Sequence, residues 1–202
     1  MNRKNFMKLA GLSAFAMSTS GFTILQDDGT TKGDCATTTD YLGPFYREGA
    51  PFRNDLTYPG GKDEIPLKVV GQLFGADCQA PIPNALINVW HCDHEQHYDM
   101  ETQEFRCYGR FYTNENGEYW FKSIIPPPVA GRPKHIHFLV KKIDGYKELV
   151  TQLYFRGDER IKSRKTIKGP RDERRILEIY KNEESMAEVK LDLYLSKKGW
   201  RF

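Results

Sequence analysis

The sequence has little net charge and no long hydrophobic run. Its 30 lysines and arginines are interspersed with 27 aspartates and glutamates, which leaves a formal net charge of +3 over 202 residues. A nucleic-acid-binding surface is therefore not indicated. The apolar stretches are too short for a stable membrane span. Internal repeats and low-complexity tracts are absent, so the length predicts one domain with a full hydrophobic core, or a domain with a tail.

Cysteine is scarce, and the chain has no CxxC pair. The four cysteines are Cys35, Cys78, Cys92 and Cys107. This spacing argues against a zinc ribbon or a thioredoxin-type redox site. In an exported protein four cysteines permit two disulfides with three connectivities, and we predict at least one. Free buried thiols are the alternative.

The N-terminus has the layout of an export signal. A basic start precedes an uncharged run of small and apolar residues at 9–22. We interpret residues 1–26 as a signal of the twin-arginine type, in which Lys4 replaces the second arginine. Residues 27–40 read as a linker and residues 41–202 as the folded domain. This predicts export to the periplasm or cell envelope, and the alternative is a retained amphipathic helix on a cytoplasmic protein.

Short strand-like runs, separated by turn residues, recur along the domain. The runs are 68–74, 85–90, 110–113, 118–121, 135–140, 150–155 and 189–195. Asn116-Gly117, between the third and fourth runs, is a strong hairpin signal. A helix is predicted over 170–182, with a proline near its start. The pattern predicts an all-β fold, an antiparallel β-sandwich with one short helix near the C-terminus.

The most informative run is Arg132-Pro133-Lys134-His135-Ile136-His137-Phe138. Side chains alternate between the two faces of a strand, so His135 and His137 point the same way, about 7 Å apart along the backbone. Two imidazoles on one face can bind one metal ion with little rearrangement. A pair of surface histidines on a half-buried strand is the alternative.

More candidate ligands follow the strand that ends at Trp90. They are His91, Asp93, His94, His97 and Tyr98. Loops at strand ends are where sites are usually built. A proline-rich segment at 124–131 lies between this loop and the histidine pair, and its stiffness suits a pocket wall.

Taken together, these segments resemble the intradiol ring-cleavage dioxygenases, the non-haem iron(III) enzymes that open catechols. The markers of the resemblance are 42–46, 49–51, 81–85, 90–98, 116–119, 132–138 and 152–155. Their order and spacing are specific to the family. The β-sandwich of the family agrees with the strand pattern.

The resemblance implies a site for ferric iron, Fe(3+), with Tyr98, His135 and His137 as ligands. A phenolate is a hard anionic donor suited to iron(III), and coordination removes its proton far below its free pKa of about 10. Neutral imidazoles complete the set. The three remaining histidines match no ligand of the family, and we interpret His91, His94 and His97 as loop residues.

The resemblance also implies how substrate is handled. Arg132 would lie beside the bound substrate and stabilise developing negative charge, and Gln152 would lie close to the metal. The implied pocket lining includes Leu42, Pro44, Tyr46 and Val129. The implied reaction cleaves a small catechol-type substrate with O2 between its two hydroxylated carbons, giving a cis,cis-muconate-type diacid. Which catechol is used, and whether the chain forms a homo-oligomer, stay open.

One position departs from the family pattern. Its members carry a second, axial tyrosine after the proline-rich turn, and alignment places Val129 there. Neither Val129 nor its neighbours Ala130 and Gly131 can supply a side-chain ligand, so three matched ligands remain.

Two alternative functions stay open. One is a non-catalytic binding module with a decayed metal site. The other is a different chemistry at a His-His-Tyr site, such as zinc-assisted hydrolysis or ferrous oxygenase chemistry.

Overall fold

The computed structural model of the chain describes residues 35–58, 64–163, 170–183 and 186–197. The predicted export signal, 1–26, and the first part of the predicted linker lie outside these ranges. The described elements are β1 (Pro66–Phe74), β2 (Leu86–Trp90), β3 (Tyr108–Tyr112), β4 (Glu118–Ile124), β5 (His135–Val140), β6 (Leu149–Phe155), a 3-10 helix (Glu159–Ser163), α1 (Pro170–Glu173), β7 (Ile176–Leu177), β8 (Tyr180–Lys181), β9 (Ala187–Lys190) and β10 (Leu193–Tyr194). Within the described ranges, no helix is long and apolar enough to cross a membrane.

The strands form two sheets. In sheet 1, β1 pairs antiparallel with β4 and parallel with β9 and β10, and β8 extends the sheet beyond β9. Sheet 2 has the order β3-β2-β5-β6-β7, antiparallel except for the pairing of β6 with β7. The predicted all-β sandwich is confirmed. Its long strands pair antiparallel, and each parallel pair includes a short C-terminal strand.

The core between the sheets takes alternate residues of the long strands. In β5, Ile136 and Phe138 are fully buried, and the Phe138 ring lies 5.9 Å from that of Phe121 in β4. Burying a side chain of this size contributes about 1.5–3 kcal/mol. Because a slip of one residue would exchange the faces of β5, this burial fixes His135 and His137 on the outer face of sheet 2.

Of the segment 35–58, which precedes β1, the first part packs on the outer face of sheet 2 and residues 51–56 bond to β3 and β4. The segment is held by main-chain hydrogen bonds such as that from Asp40 N to Val150 O (2.9 Å). A second apolar cluster lies beneath it, formed by Ala50, Trp90, Tyr108 and Leu139. Residues 35–40, the end of the predicted linker, therefore pack on the sandwich in this structure.

A disulfide between Cys35 and Cys78 ties this segment to the loop after β1. The prediction of at least one disulfide is confirmed. Cys92 and Cys107 are free and buried. Burial raises the pKa of both thiols to about 12, so they stay protonated and unreactive at neutral pH.

The turn predicted at 114–117 forms, but it does not join a hairpin of paired strands. Gly117 N donates to Asn114 O (2.9 Å), and Gly117 has a φ of 73°. The strands on either side diverge: β3 pairs with β2, and β4 pairs with β1 over seven residues. The predicted pairing is wrong because the pairing with β1 buries Tyr119 and Phe121 in the core, which outweighs the local turn signal.

The helix near the C-terminus is shorter than the predicted 170–182. It ends at Glu173, and Ile176 is instead buried in β7, beside β6. Ile179 and Tyr180, which gave the helical spacing, are 42% and 64% exposed, so that spacing marks no buried face. The predicted strand 189–195 is likewise interrupted between β9 and β10.

Candidate metal centre

Tyr98, His135 and His137 meet on the outer face of sheet 2. Tyr98 Oη lies 3.3 Å from His135 Nε2 and 3.3 Å from His137 Nε2. Ligand atoms about 2.0–2.1 Å from one ion, at about 105° to each other, are about 3.3 Å apart. Tyr98 Oη therefore lies at the distance from each imidazole nitrogen that binding to a shared metal ion requires.

Neighbouring groups fix both imidazoles. His135 Nδ1 lies 2.6 Å from Pro133 O, so this nitrogen carries the proton and Nε2 presents its lone pair towards Tyr98. The His137 ring stacks on Trp90, its partner in the β2–β5 register, with centroids 4.8 Å apart and planes 10° apart. Both histidines are 1% exposed, so their orientation is set by packing.

Tyr98 lies in the loop between β2 and β3. The next residue, Asp99, anchors the loop by accepting a hydrogen bond from Thr102 N (2.9 Å). The Phe45 ring stacks flat on Tyr98, with centroids 4.2 Å apart. Burial raises the pKa of Tyr98 above its usual value, so the phenol is neutral until a cation beside it favours the phenolate.

Arg132 and Gln152 are hydrogen-bonded to each other beside the three donors. Arg132 Nη2 donates to Gln152 Oε1, and Gln152 Nε2 donates to Tyr41 O (2.6 Å). Gln152 lies opposite His137 in the β5–β6 register. Arg132 Nε is buried and has no acceptor among the described residues. Because buried donors are normally paired, this N–H marks a place for an acceptor from a ligand.

A cavity of about 310 Å³ opens beside Tyr98. Its lining consists of Phe45, Gln96, His97, Tyr98, Val129, Ala130 and Arg132. A volume of this size suits a small molecule. Arg132 is the permanent cation of the lining, and it favours a ligand with anionic oxygen atoms.

Val129 lines this cavity, at the end of the proline-rich segment. It begins a tight turn in which Arg132 N donates to Val129 O (2.8 Å) and Ala130 has a φ of 49°. Both ends of this turn line the cavity, Val129 with an apolar side chain and Arg132 with its guanidinium group. The position aligned with an axial tyrosine thus presents no donor atom.

The other predicted lining residues belong to one segment. Leu42 and Tyr46 pack against the cluster around Trp90, as Tyr98 does, and Pro44 is exposed. Phe45, from the same segment, lines the cavity. The chain turns at 43–45, where the glycine has a φ of 82°, so simple alternation along an extended segment does not apply.

The three histidines interpreted as loop residues have different environments. His91 is fully buried, with Nε2 2.6 Å from Ser123 Oγ, and burial lowers its pKa to about 4. His94 is exposed, with Nδ1 3.2 Å from Glu64 Oε1. His97 lines the mouth of the cavity, a role that its position alone did not indicate.

The chain is similar in sequence to known dioxygenases. A family model named Dioxygenase_C and described as "Dioxygenase" matches residues 41–197. The chain is 27% identical over 183 residues to 6-chlorohydroxyquinol 1,2-dioxygenase of Cupriavidus pinatubonensis, covering 80% of this chain and 63% of that protein. It is 32% identical over 152 residues to catechol 1,2-dioxygenase of Acinetobacter baylyi, covering 61% and 47%. The chain thus spans about half to two-thirds of the length of these relatives.

A solved structure has the same fold. The dioxygenase domain of a dioxygenase carbohydrate-binding protein fusion from Streptomyces sp. SirexAA-E is 26% identical, with a TM-score of 0.69. The alignment covers 81% of this chain and 99% of that domain.

Proposed function

The chain belongs to the intradiol ring-cleavage dioxygenase family, and we propose that it cleaves a catechol-type aromatic with O2 at a ferric site. The observation that carries the proposal is the convergence of Tyr98 Oη and the Nε2 atoms of His135 and His137, 3.3 Å from phenol to each imidazole. One phenolate and two neutral imidazoles suit iron(III). Ferric iron bound there would supply a Lewis-acidic, redox-active centre for the substrate and O2.

The protein's own groups would bind the substrate and stabilise its charge. The apolar walls of the cavity, Phe45 and Val129, would hold the aromatic ring and exclude water from it. Arg132 Nε–H would donate to a substrate oxygen as negative charge develops, while its Nη2 is held by Gln152. Because Val129 is not a base, the second phenolic proton of the substrate would leave through water. Both atoms of O2 end in a cis,cis-muconate-type diacid, so no external reductant is consumed.

A second candidate function is a non-catalytic binding module. It is favoured by one observation, the apolar Val129 in the cavity lining where relatives would place a fourth ligand. Such a module would bind catechols but hold iron too weakly for turnover. The two candidates therefore differ in oxygen consumption.

The test uses the purified chain loaded with ferric iron. A phenolate ligand to iron(III) absorbs in the visible, so the protein should be coloured, and Tyr98→Phe should abolish the band while leaving the fold intact. Oxygen uptake with catechol and substituted catechols, together with detection of the diacid, tests the reaction. A colourless protein that leaves every catechol intact would refute the proposal, and colour without oxygen uptake would favour the binding module.

We also propose that the protein is exported. The disulfide between Cys35 and Cys78 favours an oxidising compartment, and the basic and apolar N-terminus has the layout of a signal. Cell fractionation of the full chain and of a chain lacking residues 1–26 tests this. Recovery of both in the cytoplasm would contradict it.

A further inference from the structure

A chain of buried polar groups leads away from the cavity behind Gln152. Tyr154 Oη lies 2.8 Å from Gln152 Oε1 and 2.7 Å from Asp40 Oδ2. Asp40 Oδ2 also accepts from Arg175 Nη1 (2.8 Å), and Arg175 Nη2 donates to Asp172 Oδ1 (2.8 Å). The side chains of Asp40 and Arg175 are 0% and 1% exposed, so this ion pair is removed from solvent.

We propose that Tyr154 and the Asp40–Arg175 pair are positioning residues, which orient Arg132 towards the cavity through Gln152. They do not line the cavity, although the Tyr154 ring lies beside that of His135, with centroids 6.2 Å apart. The inference rests on the proposed function of the cavity, since it assigns a purpose to the orientation of Arg132.

The Gln152 amide can hold Arg132 in one orientation because its oxygen and its nitrogen have different hydrogen-bond partners. Oε1 accepts from Arg132 Nη2, and Nε2 donates to Tyr41 O (2.6 Å). Turning the amide over would oppose donor to donor at Arg132 and acceptor to acceptor at Tyr41. The orientation of Gln152 and the placement of Nη2 are therefore fixed together.

Tyr154 connects this amide to the ion pair. Its phenol has a single proton and two acceptors within reach, Gln152 Oε1 and Asp40 Oδ2. Burial alone would raise the pKa of Asp40, but the hydrogen bond from Arg175 lowers it below its usual value, so the carboxylate is charged. A change at Asp40 or Arg175 thus alters the hydrogen bonding of Tyr154 and, one bond further, of Gln152.

A contribution to stability does not by itself account for the buried polar groups behind Gln152. A buried ion pair is often no more stabilising than apolar side chains of the same volume, because both charges lose their hydration. What a buried hydrogen-bonded network adds is a preference for one arrangement of its side chains. Here that arrangement lies next to the ligands, since Tyr154 and Gln152 face His135 and His137 across the β5–β6 ladder.

The test measures binding of 4-nitrocatechol, a chelating catechol with a visible spectrum, to the full iron-loaded chain. We expect Tyr154→Phe and Arg175→Lys to weaken this binding about tenfold, the lower end of the effect of altering groups behind a metal site. Iron content should not change. The matched control is Tyr119→Phe, which removes another buried phenol, bonded to Leu191 O (2.6 Å) in the other sheet. It should change the affinity less than twofold.

The same substitutions are then made in an Arg132→Met background. If Tyr154 acts through Arg132, Tyr154→Phe should cost less than twofold there, because the group it positions is gone. An equal loss in both backgrounds would mean a merely structural role and overturn the inference. So would unchanged affinity of both single variants in an otherwise active enzyme. A wild-type chain that binds neither iron nor 4-nitrocatechol would instead refute the proposed function itself.

Discussion

If the protein binds ferric iron as proposed, we expect Val129 to influence how firmly the metal is held when no substrate is present. It lines the cavity but offers no donor atom. We expect Val129→Tyr to raise the affinity for ferric iron at least about tenfold, because it adds an anionic oxygen ligand. Competition with a chelator measures the affinity. Val129→Phe, which adds the ring without the oxygen, is the control and should resemble the wild type. Equal affinities for all three proteins would contradict the placement of residue 129 within reach of the metal.

His91 makes the stability of the fold depend on pH without involving the metal. Its folded pKa of about 4 lies below the ordinary value of 6.5, chiefly because of burial. The unfolded chain therefore takes up the proton first as pH falls, so the stabilisation is complete above pH 6.5 and is lost towards pH 4. The loss amounts to about 3 kcal/mol at 1.36 kcal/mol per pKa unit.

His91→Gln keeps a polar group near Ser123 but removes the titration. The unfolding free energy of this variant, from urea titrations, should vary less with pH than that of the wild type between pH 6.5 and 4. A His91→Gln slope equal to that of the wild type would assign the acid sensitivity to other groups.

Single residues were predictable from the sequence where a local rule governs them. His135 and His137 share a face because strands alternate, and the structure places both beside Tyr98. The Asp40–Arg175 pair was not found, because it depends on a contact between distant parts of the chain. Asp40 and Arg175 are 135 positions apart, and no local pattern encodes such a pairing.

At the scale of elements, β1 depends on close approach of the backbone that connects β9 and β10. A Cβ atom at Gly71 would lie 1.8 Å from Leu191 O. We expect Gly71→Ala to lower the free energy of unfolding by more than about 4 kcal/mol, because main chain must move to relieve the overlap. Urea denaturation measures this.

Gly49→Ala is the matched control for Gly71→Ala. A Cβ at Gly49 meets nothing within 4 Å, and only its φ of 88° is unfavourable for alanine. The expected cost is about 1–2 kcal/mol. Similar losses for the two variants would show that the approach of Leu191 to β1 is not close.

Most strands were predictable because each has alternating apolar residues that are buried in the core between the sheets. Their partners were not, as the turn at 114–117 shows: a local signal gave the turn, but burial of Tyr119 and Phe121 decided that β4 pairs with β1. The helix predicted at 170–182 failed for a related reason. Ile176 is buried by pairing with Tyr154 in β6, a contact outside any helical repeat.

At the scale of the whole molecule, the disulfide ties the start of the described segment 35–58 to the loop after β1, in sheet 1. Cys35 and Cys78 are 43 positions apart. The loss of conformational entropy in the unfolded chain predicts a stabilisation of about 4 kcal/mol for a loop of this length. We expect a reductant, or the double change Cys35→Ser and Cys78→Ser, to lower the melting temperature measured by calorimetry. The reductant should have no further effect on the double variant, and a reductant effect of the same size on both proteins would contradict the assignment.

The two residues of the Asp40–Arg175 pair are synthesised at different times. Asp40 emerges early in synthesis and Arg175 late, so a nascent chain contains Tyr98, His135 and His137 well before the partner that completes the network behind Gln152 exists. On this proposal, a chain interrupted before residue 175 would contain the three candidate ligands but lack the residue that completes the network behind Arg132. The alignment of Arg132 would then depend on synthesis of the segment that follows β6.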